Sequence, residues 1–359
     1  MRYRWSAQTG ALVRAEIAPA VVEDALAKHG LNPGGPVVEV TRAGGDARFL
    51  AGERYVVEFN STNPSAREFV RFARAHALVS AQTRLPLPPI VAIDGDRDVA
   101  PFEFCITARL PGIDGETVWP RLGLRERTEV GKAAGEALAT LHGVTAARFG
   151  DLLDPRGQRD TWFDYIADRT GAALRGAIDS GRLEPANEAR GRAILERLKP
   201  YLDRVRTAHL VHGAFRFSET LFTGTRLSGV LGLRHSLGGD PGMDFSLVLQ
   251  ANAVPLGGPL PFWAGYDRAR WRDRGADRIK VLFYRYLFVL ELLAGHPQAP
   301  AGPCRRWERA VRSLQAAAAH REEALLRTPR LRTWRAGRKG LPARGIAGET
   351  IGPRRIHLL

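Results

Sequence analysis

The residues of this chain that are best suited to chemistry lie close together, between positions 210 and 244. They include His212 and the carboxylates Glu219, Asp240 and Asp244. A histidine or a carboxylate can accept the proton of a reacting hydroxyl, and carboxylate oxygens are ligands for hard divalent cations such as magnesium. This stretch therefore has residue types that suit acid–base or metal-assisted chemistry.

The order of these residues resembles the catalytic loop of a known family. The segment 210–214 reads Leu-Val-His-Gly-Ala, an apolar strand follows, and Gly-Asp-Pro at 239–241 precedes a further aspartate at 244. This is similar to the aminoglycoside phosphotransferase and choline kinase family, whose pattern is His-Gly-Asp, four residues, Asn, an apolar strand, Gly-Val-Ile-Asp, Gly-Asp-Pro and a second Asp. The residues that match this pattern are His212, Gly213, Gly229, Asp240, Pro241 and Asp244.

Four positions depart from the family pattern, and the chemistry needs all four. The resemblance places the catalytic Asp on Ala214 and the metal-binding Asn and Asp on Glu219 and Gly232, and it places the phosphate-binding Lys on Glu58. Ala214 cannot accept a proton, and Gly232 offers no side-chain oxygen to a cation. A carboxylate at Glu58 repels a triphosphate. The departures predict a catalytically inactive family member, a pseudokinase.

The distribution of lysine supports the same interpretation. The sequence has no lysine between Lys28 and Lys132, a span that contains the whole predicted small lobe. Arg48 or Arg54 can supply a positive charge there, although an arginine differs from a lysine in reach and geometry. Glu219 remains as a single candidate metal ligand. We therefore predict that the chain uses no cofactor and no metal.

The other residues of the loop are expected to be structural or to bind a ligand. The residues predicted to hold the loop in shape are His212, Gly213, Asp240 and Asp244. His212 has the alternative of acting as a catalytic group in a repurposed site. Arg216 and Arg234 lie where a kinase has its active centre, and both are candidates for binding an anion. Their alternative is solvation or pairing with Glu219.

Hydrophobic patterns outline the elements that would position this loop. Strand-like runs lie at 37–40, 54–59, 90–94 and 102–109, with a glycine turn at 44–49. Helical patterns lie at 15–29, 64–80, 125–142, 161–180, 186–205, 266–294 and 305–327. With the resemblance, this order predicts an α+β chain with a two-lobed protein-kinase-like fold, a small mixed N-lobe and a mainly helical C-lobe. The predicted divisions are an N-terminal extension (1–35), the N-lobe (36–110), the C-lobe (111–328) and a basic tail (329–359).

Composition and charge bound the compartment and the partners. The chain has 359 residues, two cysteines and a formal net charge of +15. The sequence shows no apolar signal segment, membrane span or disulfide framework, which predicts a cytoplasmic protein without a membrane partner. The positive charge favours an acidic peptide or protein as partner, and the alternative is a basic surface that is only solvated. Nucleic acid is a possible partner that no sequence motif supports.

These observations lead to one function hypothesis and two alternatives. The first is a pseudokinase that acts as a binding or scaffolding subunit. By analogy with family relatives, its setting would be bacterial natural-product biosynthesis, with a peptide or a partner enzyme as ligand. The alternatives are a repurposed enzyme that uses the nucleotide cleft for other chemistry, and a true phosphotransferase that acts on a small hydroxylated molecule or a peptide.

Overall fold

The N-terminal part of the molecule begins with a strand pair and a helix. The computed structural model describes residues 2–5, 12–41, 46–61, 67–183, 185–248, 259–266 and 274–295. Strands β1 (Arg2–Trp5) and β2 (Leu12–Glu16) pair antiparallel, and helix α1 (Pro19–Lys28) follows. The helical pattern at 15–29 thus begins four residues early, because Pro19 fixes the first turn of the helix while Glu16 still belongs to a strand.

A five-stranded antiparallel sheet forms the core of the small lobe. The strands are β3 (Val37–Glu39), β4 (Ala47–Ala51), β5 (Tyr55–Phe59), β6 (Ile90–Asp94) and β7 (Phe104–Ala108). Their order across the sheet is β3-β4-β5-β7-β6. Helix α2 (Glu68–Gln82) connects β5 to β6 along the chain.

The two faces of this sheet differ because side chains alternate along a strand. Phe49, Val57 and Phe59 are buried in a core that also contains Val22 and Leu26 of α1. The alternate residues of β4 and β5 lie on the opposite face and line the cleft below the sheet. They are Arg48, Leu50, Val56 and Glu58.

One expectation for this lobe is wrong in part. The glycines at 44 and 45 predict a turn through residue 49, but residues 47–51 form β4, which pairs with both β3 and β5. The turn that joins β4 to β5 lies instead at 52–54, where Gly52 has a φ of +56°. A side chain there would lie 2.1 Å from the carbonyl oxygen of Pro33, so the position needs glycine. Residues 42–45 lie outside the described part of the chain.

The rest of the described chain is mainly helical, with short strands around the loop. The helices are α3 (Gly115–Val118), α4 (Leu124–Leu141), α5 (Trp162–Asp179), α6 (Ala186–Leu202), α7 (Gly242–Val248), α8 (Pro259–Gly265) and α9 (Arg274–Gly295). The strands are β8 (Ile113–Asp114), β9 (Phe149–Asp151), β10 (Gln158–Arg159), β11 (His209–Val211), β12 (Thr220–Thr223), β13 (Arg226–Val230) and β14 (Leu237–Gly239). The predicted helix at 305–327 and the basic tail lie outside the described residues.

Close helix packing sets the position of the loop. A side chain at Gly135 of α4 would lie 2.0 Å from the carbonyl oxygen of Phe262 in α8, so the two helices are in backbone contact there. This contact brings Tyr266, directly after α8, against His142 at the end of α4. The α2 side chains share one apolar core with α4 and the loop, which joins the two lobes. No helix of the described residues is long and apolar enough to cross a membrane.

Candidate functional site

Asp244 holds the start of the loop. Its side chain is fully buried, and its carboxylate accepts hydrogen bonds from the backbone N–H of His212 (2.7 Å) and of Gly213 (2.8 Å). His142 donates a third through Nε2 at 2.9 Å, and its other ring nitrogen lies 2.7 Å from the Tyr266 hydroxyl. Burial opposes ionisation of Asp244, but the hydrogen bond and charge of His142 hold the pKa of its carboxyl below the usual range. In this structure Asp244 therefore binds protein groups.

His212 spans the loop from one end to the other. Its Nε2 lies 2.7 Å from the carbonyl oxygen of Leu231, which can only accept, so Nε2 carries the proton. The other ring nitrogen, Nδ1, accepts from the backbone N–H of Ala214 at 3.3 Å. Both ring nitrogens are thus occupied by the backbone of the loop. The geometry suits a brace, as predicted for His212, and leaves no ring nitrogen open to a substrate.

Asp240 fixes the segment that follows the loop. One carboxylate oxygen accepts from the backbone N–H of Gly242 at 3.0 Å, as expected for a residue that turns the chain at the Gly-Asp-Pro motif. The other oxygen contacts the ammonium of Lys280 and the hydroxyl of Tyr284, each at 2.7 Å. Lys280 and Tyr284 belong to α9, and the sequence motif at 210–244 does not predict that this helix contributes to the site. Asp240 therefore attaches the loop segment to a helix distant in sequence.

Glu219 and Gly232 are neighbours on the other side of the loop. Gly232 has a φ of +77°, and a side chain built there would lie 2.7 Å from the Glu219 carboxylate. The carboxylate of Glu219 thus fills the space into which a residue at 232 would extend. Glycine also suits the left-handed backbone at this position. The two departures from the family pattern are therefore spatially linked.

Glu58 lies across the sheet from Arg48. The two residues are directly paired in the β4–β5 register, and the Arg48 guanidinium contacts the Glu58 carboxylate at 2.7 and 2.8 Å. Burial opposes ionisation of Glu58, but Arg48 and then Arg234 outweigh it and hold the pKa of the carboxyl below its usual range. Arg48 was a candidate to supply the positive charge of the absent lysine, but its guanidinium is already bound to the Glu58 carboxylate. The negative charge of Glu58 persists at neutral pH.

The two candidate anion-binding arginines have different surroundings. Arg234 donates to Asp46 at 2.7 Å, and both side chains are largely buried, so this pair links the loop to the start of β4. Arg216 is exposed, and its guanidinium has no ion-pair or hydrogen-bond partner within the described parts of the chain. Within the described residues, the ion pair of Arg234 is therefore with Asp46 and not with Glu219. Arg216 alone of the two is open to a ligand.

Two cavities flank the loop. One of about 340 Å³ lies between the sheet and residues 108–114, with apolar walls that include Leu50, Val56 and Leu231 and with Glu58 among its lining residues. The other, of about 560 Å³, lies beside Ala214. Both volumes are within the range of about 300–1,000 Å³ that small-molecule sites occupy. The molecule therefore has room for ligands on both sides of the loop.

The residues at the inner end of the smaller cavity do not fit a magnesium–nucleotide pair. Magnesium prefers several oxygen ligands, and no group of three His, Cys, Asp or Glu side chains that could hold a metal occurs among the described residues. Glu219, next to Gly232, is a carboxylate, but Gly232 itself adds no oxygen. Glu58 is an anion at the position where the family resemblance places the phosphate-binding lysine. The charged groups here, Arg48 and Glu58, form an ion pair with each other within the protein.

Several residues of the site carry no sequence signal. Arg71 of α2 pairs with Asp151 of β9 at 2.8 Å, and Arg169 of α5 pairs with Glu291 of α9. All four lie around the larger cavity, although they come from four separate elements. A pattern within one segment cannot reveal pairs formed by tertiary contacts. Lys280 was missed for the same reason.

The two lobes and the loop frame define a kinase-like protein, and comparison with known proteins specifies the family. The profile of the phosphotransferase enzyme family matches residues 38–284, so the chain belongs to this family. No curated protein matches the chain.

Several solved structures share the fold at low sequence identity. A putative fructosamine-3-kinase from Thermobifida fusca is 17% identical, with a TM-score of 0.62 over 85% of this chain and 99% of that one. The ADP-bound aminoglycoside phosphotransferase APH(2'')-Ib is 15% identical, with a TM-score of 0.60 over 83% and 97%. A streptomycin–ATP complex of APH(2'')-IIa is 17% identical, with a TM-score of 0.58 over 79% and 93%. These likenesses confirm the predicted two-lobed kinase-like fold.

Proposed function

We propose that this chain is a phosphotransferase family member that no longer transfers phosphate and acts as a binding or scaffolding subunit. One observation carries the proposal: the loop frame around Asp244 is intact, while Ala214, Gly232 and Glu58 stand at the positions that would do the chemistry. Phosphoryl transfer relies on positioning and on neutralising charge. Loss of the base, a metal ligand and the phosphate cation removes most of that stabilisation.

The arrangement around Glu58 supports this proposal. A simple loss of the lysine would leave a vacant position that another cation could fill. Here an anion stands instead, and it is stabilised by Arg48 and by the nearby Arg234. Arg48 is in turn stabilised in its charged form by Glu58, which raises its pKa. The charges are mutually satisfied without a nucleotide, as expected of a cleft that has another role.

The partner we propose is an acidic peptide, free or as part of a partner enzyme. The chain has 53 basic and 38 acidic residues, so 15 positive charges remain even if every carboxylate forms an ion pair. Such an excess attracts acidic chains. By analogy with relatives of the family, we place this binding in bacterial natural-product biosynthesis.

A second candidate is an enzyme that acts on a small hydroxylated molecule or a peptide. The presence of two cavities, one on each side of the loop, favours it. The related APH(2'')-IIa structure is a complex with ATP and streptomycin, and the related APH(2'')-Ib structure holds ADP. In this chain Ala214 faces the larger cavity, so the acceptor's proton would need another base.

Binding of an acidic peptide is expected to depend strongly on salt. Poly-glutamate serves as the probe, and its affinity should fall as ionic strength rises, because exposed charges are screened over about 8 Å at physiological salt. Arg216→Ala should weaken binding if the cleft is the docking site, and deletion of residues 331–359 should weaken it if the tail is. Fluorescence anisotropy with labelled poly-glutamate measures both.

Arg226→Ala is the matched control, because Arg226 is also an exposed arginine and does not line the larger cavity. A complex that persists at high salt would contradict the electrostatic proposal, and so would one that neither change weakens. Equal binding of duplex DNA would show a preference for polyanions in general and would contradict an acidic peptide as the specific partner.

A further inference from the structure

The larger cavity, beside Ala214, is lined by elements from both lobes. It has a volume of about 560 Å³, and its lining residues come from α2, β9, α5, the loop, α7 and α9. The cavity lies next to the loop at Ala214, which supplies no catalytic base. A ligand can therefore bind there without taking part in a reaction. What the cavity can bind depends on its apolar wall and on the balance of its charges.

One part of the wall is apolar and aromatic. Tyr165, Met243, Tyr284 and Phe288 line the cavity. The Tyr284 hydroxyl contacts Asp240 and Trp162 at 2.7 and 2.8 Å, so its polar end is already hydrogen-bonded within the protein. The wall therefore offers ring faces and a thioether to an apolar or aromatic ligand.

Two of the three arginines in the cavity are neutralised by carboxylates. Arg71 contacts Asp151 at 2.8 Å, and Arg169 donates to both carboxylate oxygens of Glu291 through Nε and Nη2, the Nη2 hydrogen bond being 3.0 Å long. These two pairs cancel in charge.

The third arginine, Arg216, leaves the cavity with a net positive charge. Its guanidinium has no partner among the residues that the structure describes. His235 also lines the cavity, and partial burial, together with the nearby guanidinium of Arg234, lowers its pKa to about 4. His235 is therefore neutral at neutral pH, so the uncompensated charge belongs to Arg216.

We propose that this cavity binds a small anion with an aromatic or apolar body, in which Arg216 pairs with a phosphate monoester or a carboxylate and the aromatic wall contacts the body. A guanidinium forms two parallel hydrogen bonds with either group. The same charge repels polycations such as aminoglycosides. This inference rests on the proposed function and deepens it. Both treat the cavity as a site that binds a ligand and not as the site of an alcohol that accepts phosphate.

Phenyl phosphate is a suitable probe, with phenol and benzylamine as its neutral and cationic counterparts. In calorimetric titrations of the full-length protein we expect phenyl phosphate to bind at least about tenfold more tightly than either counterpart. Arg216→Ala should weaken phenyl phosphate binding about tenfold or more, since a hydrogen bond between charged groups is lost. Arg226→Ala should leave it unchanged. Titration with benzoate shows whether a carboxylate replaces the phosphate, and either order of affinity supports the proposal.

The aromatic half of the proposal has its own variant. Phe288→Ala is expected to weaken phenyl phosphate binding and to leave binding of inorganic phosphate unchanged, because only the ring contact is removed. Benzylamine binding as tight as that of phenyl phosphate would overturn the proposal, as would an absence of phenyl phosphate binding or an Arg216→Ala protein that binds like wild type. These titrations contain no ATP, so their results do not depend on phosphate transfer. Observation of phosphate transfer would overturn the proposed function but would leave the binding results unaffected.

Discussion

Replacement of Asp244 by alanine is expected to lower the free energy of unfolding by about 3–5 kcal/mol, among the largest effects of a single substitution in this chain. The Asp244 carboxylate is fully buried and accepts from the backbone of His212 and Gly213 and from the ring of His142. Alanine leaves two buried donors and one partly buried donor without an acceptor, and each buried one costs about 1–3 kcal/mol. Urea denaturation followed by circular dichroism measures the change.

Two further variants make this result specific. Asp244→Asn keeps an acceptor oxygen and the side-chain volume, so its loss should be clearly smaller and the protein should remain folded. Asp160→Ala is the control, because Asp160 is an exposed aspartate in an ion pair with Arg148, and surface pairs contribute little. Equal effects of Asp244→Ala and Asp160→Ala would contradict a structural role for Asp244.

The pH dependence of this contribution follows from the direction of the pKa shift. The pKa of Asp244 is lower in the folded protein than its usual value, so its contribution is fully present above the unfolded pKa of about 3.9 and is lost as pH falls through the folded value. The stability difference between wild type and Asp244→Ala should therefore be constant from about pH 5 to 8 and narrow only below about pH 4. Narrowing already near neutral pH would contradict an ionised Asp244.

A second large effect is expected on nucleotide affinity. Wild-type protein should bind magnesium-ATP with a dissociation constant above about 1 mM, because Glu58 is an anion at the position where the family resemblance places the phosphate-binding lysine. Glu58→Gln removes that charge and releases the Arg48 guanidinium from its ion pair. Affinity should rise about tenfold or more, since a unit charge at contact distance in a partly buried site amounts to roughly 1–4 kcal/mol. Calorimetric titration, with magnesium and with a chelator, measures it.

The matched control for this change is Glu53→Gln. Glu53 is an exposed glutamate that pairs with Arg109, and it does not line the smaller cavity. Its substitution should leave ATP affinity unchanged. Tight, magnesium-dependent ATP binding by the wild type would contradict the account of this cleft, and so would an equal gain from both substitutions.

Much of the fold follows from local patterns in the sequence. The strands at 55–59 and 104–108 and the helices α4, α5 and α6 lie within a few residues of their predicted bounds. Each has a repeating apolar face that packs on one side, and such a signal is complete within one segment. Strand β4 was missed because two glycines lie just before it, at 44 and 45, and turn chemistry is the stronger local signal there.

For the candidate site too, the sequence predicts what lies within one segment and does not predict contacts between distant segments. The motif placed His212, Asp240 and Asp244 in one loop, and the structure brings them together through hydrogen bonds to that loop. The pairing of Arg234 with Asp46 has no such signal, because the two residues are 188 positions apart and meet only when the lobes pack. Contacts between distant elements determine which arginine can bind a ligand. The sequence alone therefore could not show that Arg234 is paired within the protein while Arg216 is not.

The measurement that tests the central claim most directly is transfer of radiolabelled phosphate from ATP. Wild-type protein and Glu219→Ala would be incubated with magnesium-ATP and an aminoglycoside, a choline-like alcohol or a peptide, beside an active family member as positive control. Because Ala214 and Gly232 supply neither base nor metal ligand, we predict that both proteins transfer no phosphate above background while the positive control does. Transfer by the wild type that Glu219→Ala abolishes would contradict the account.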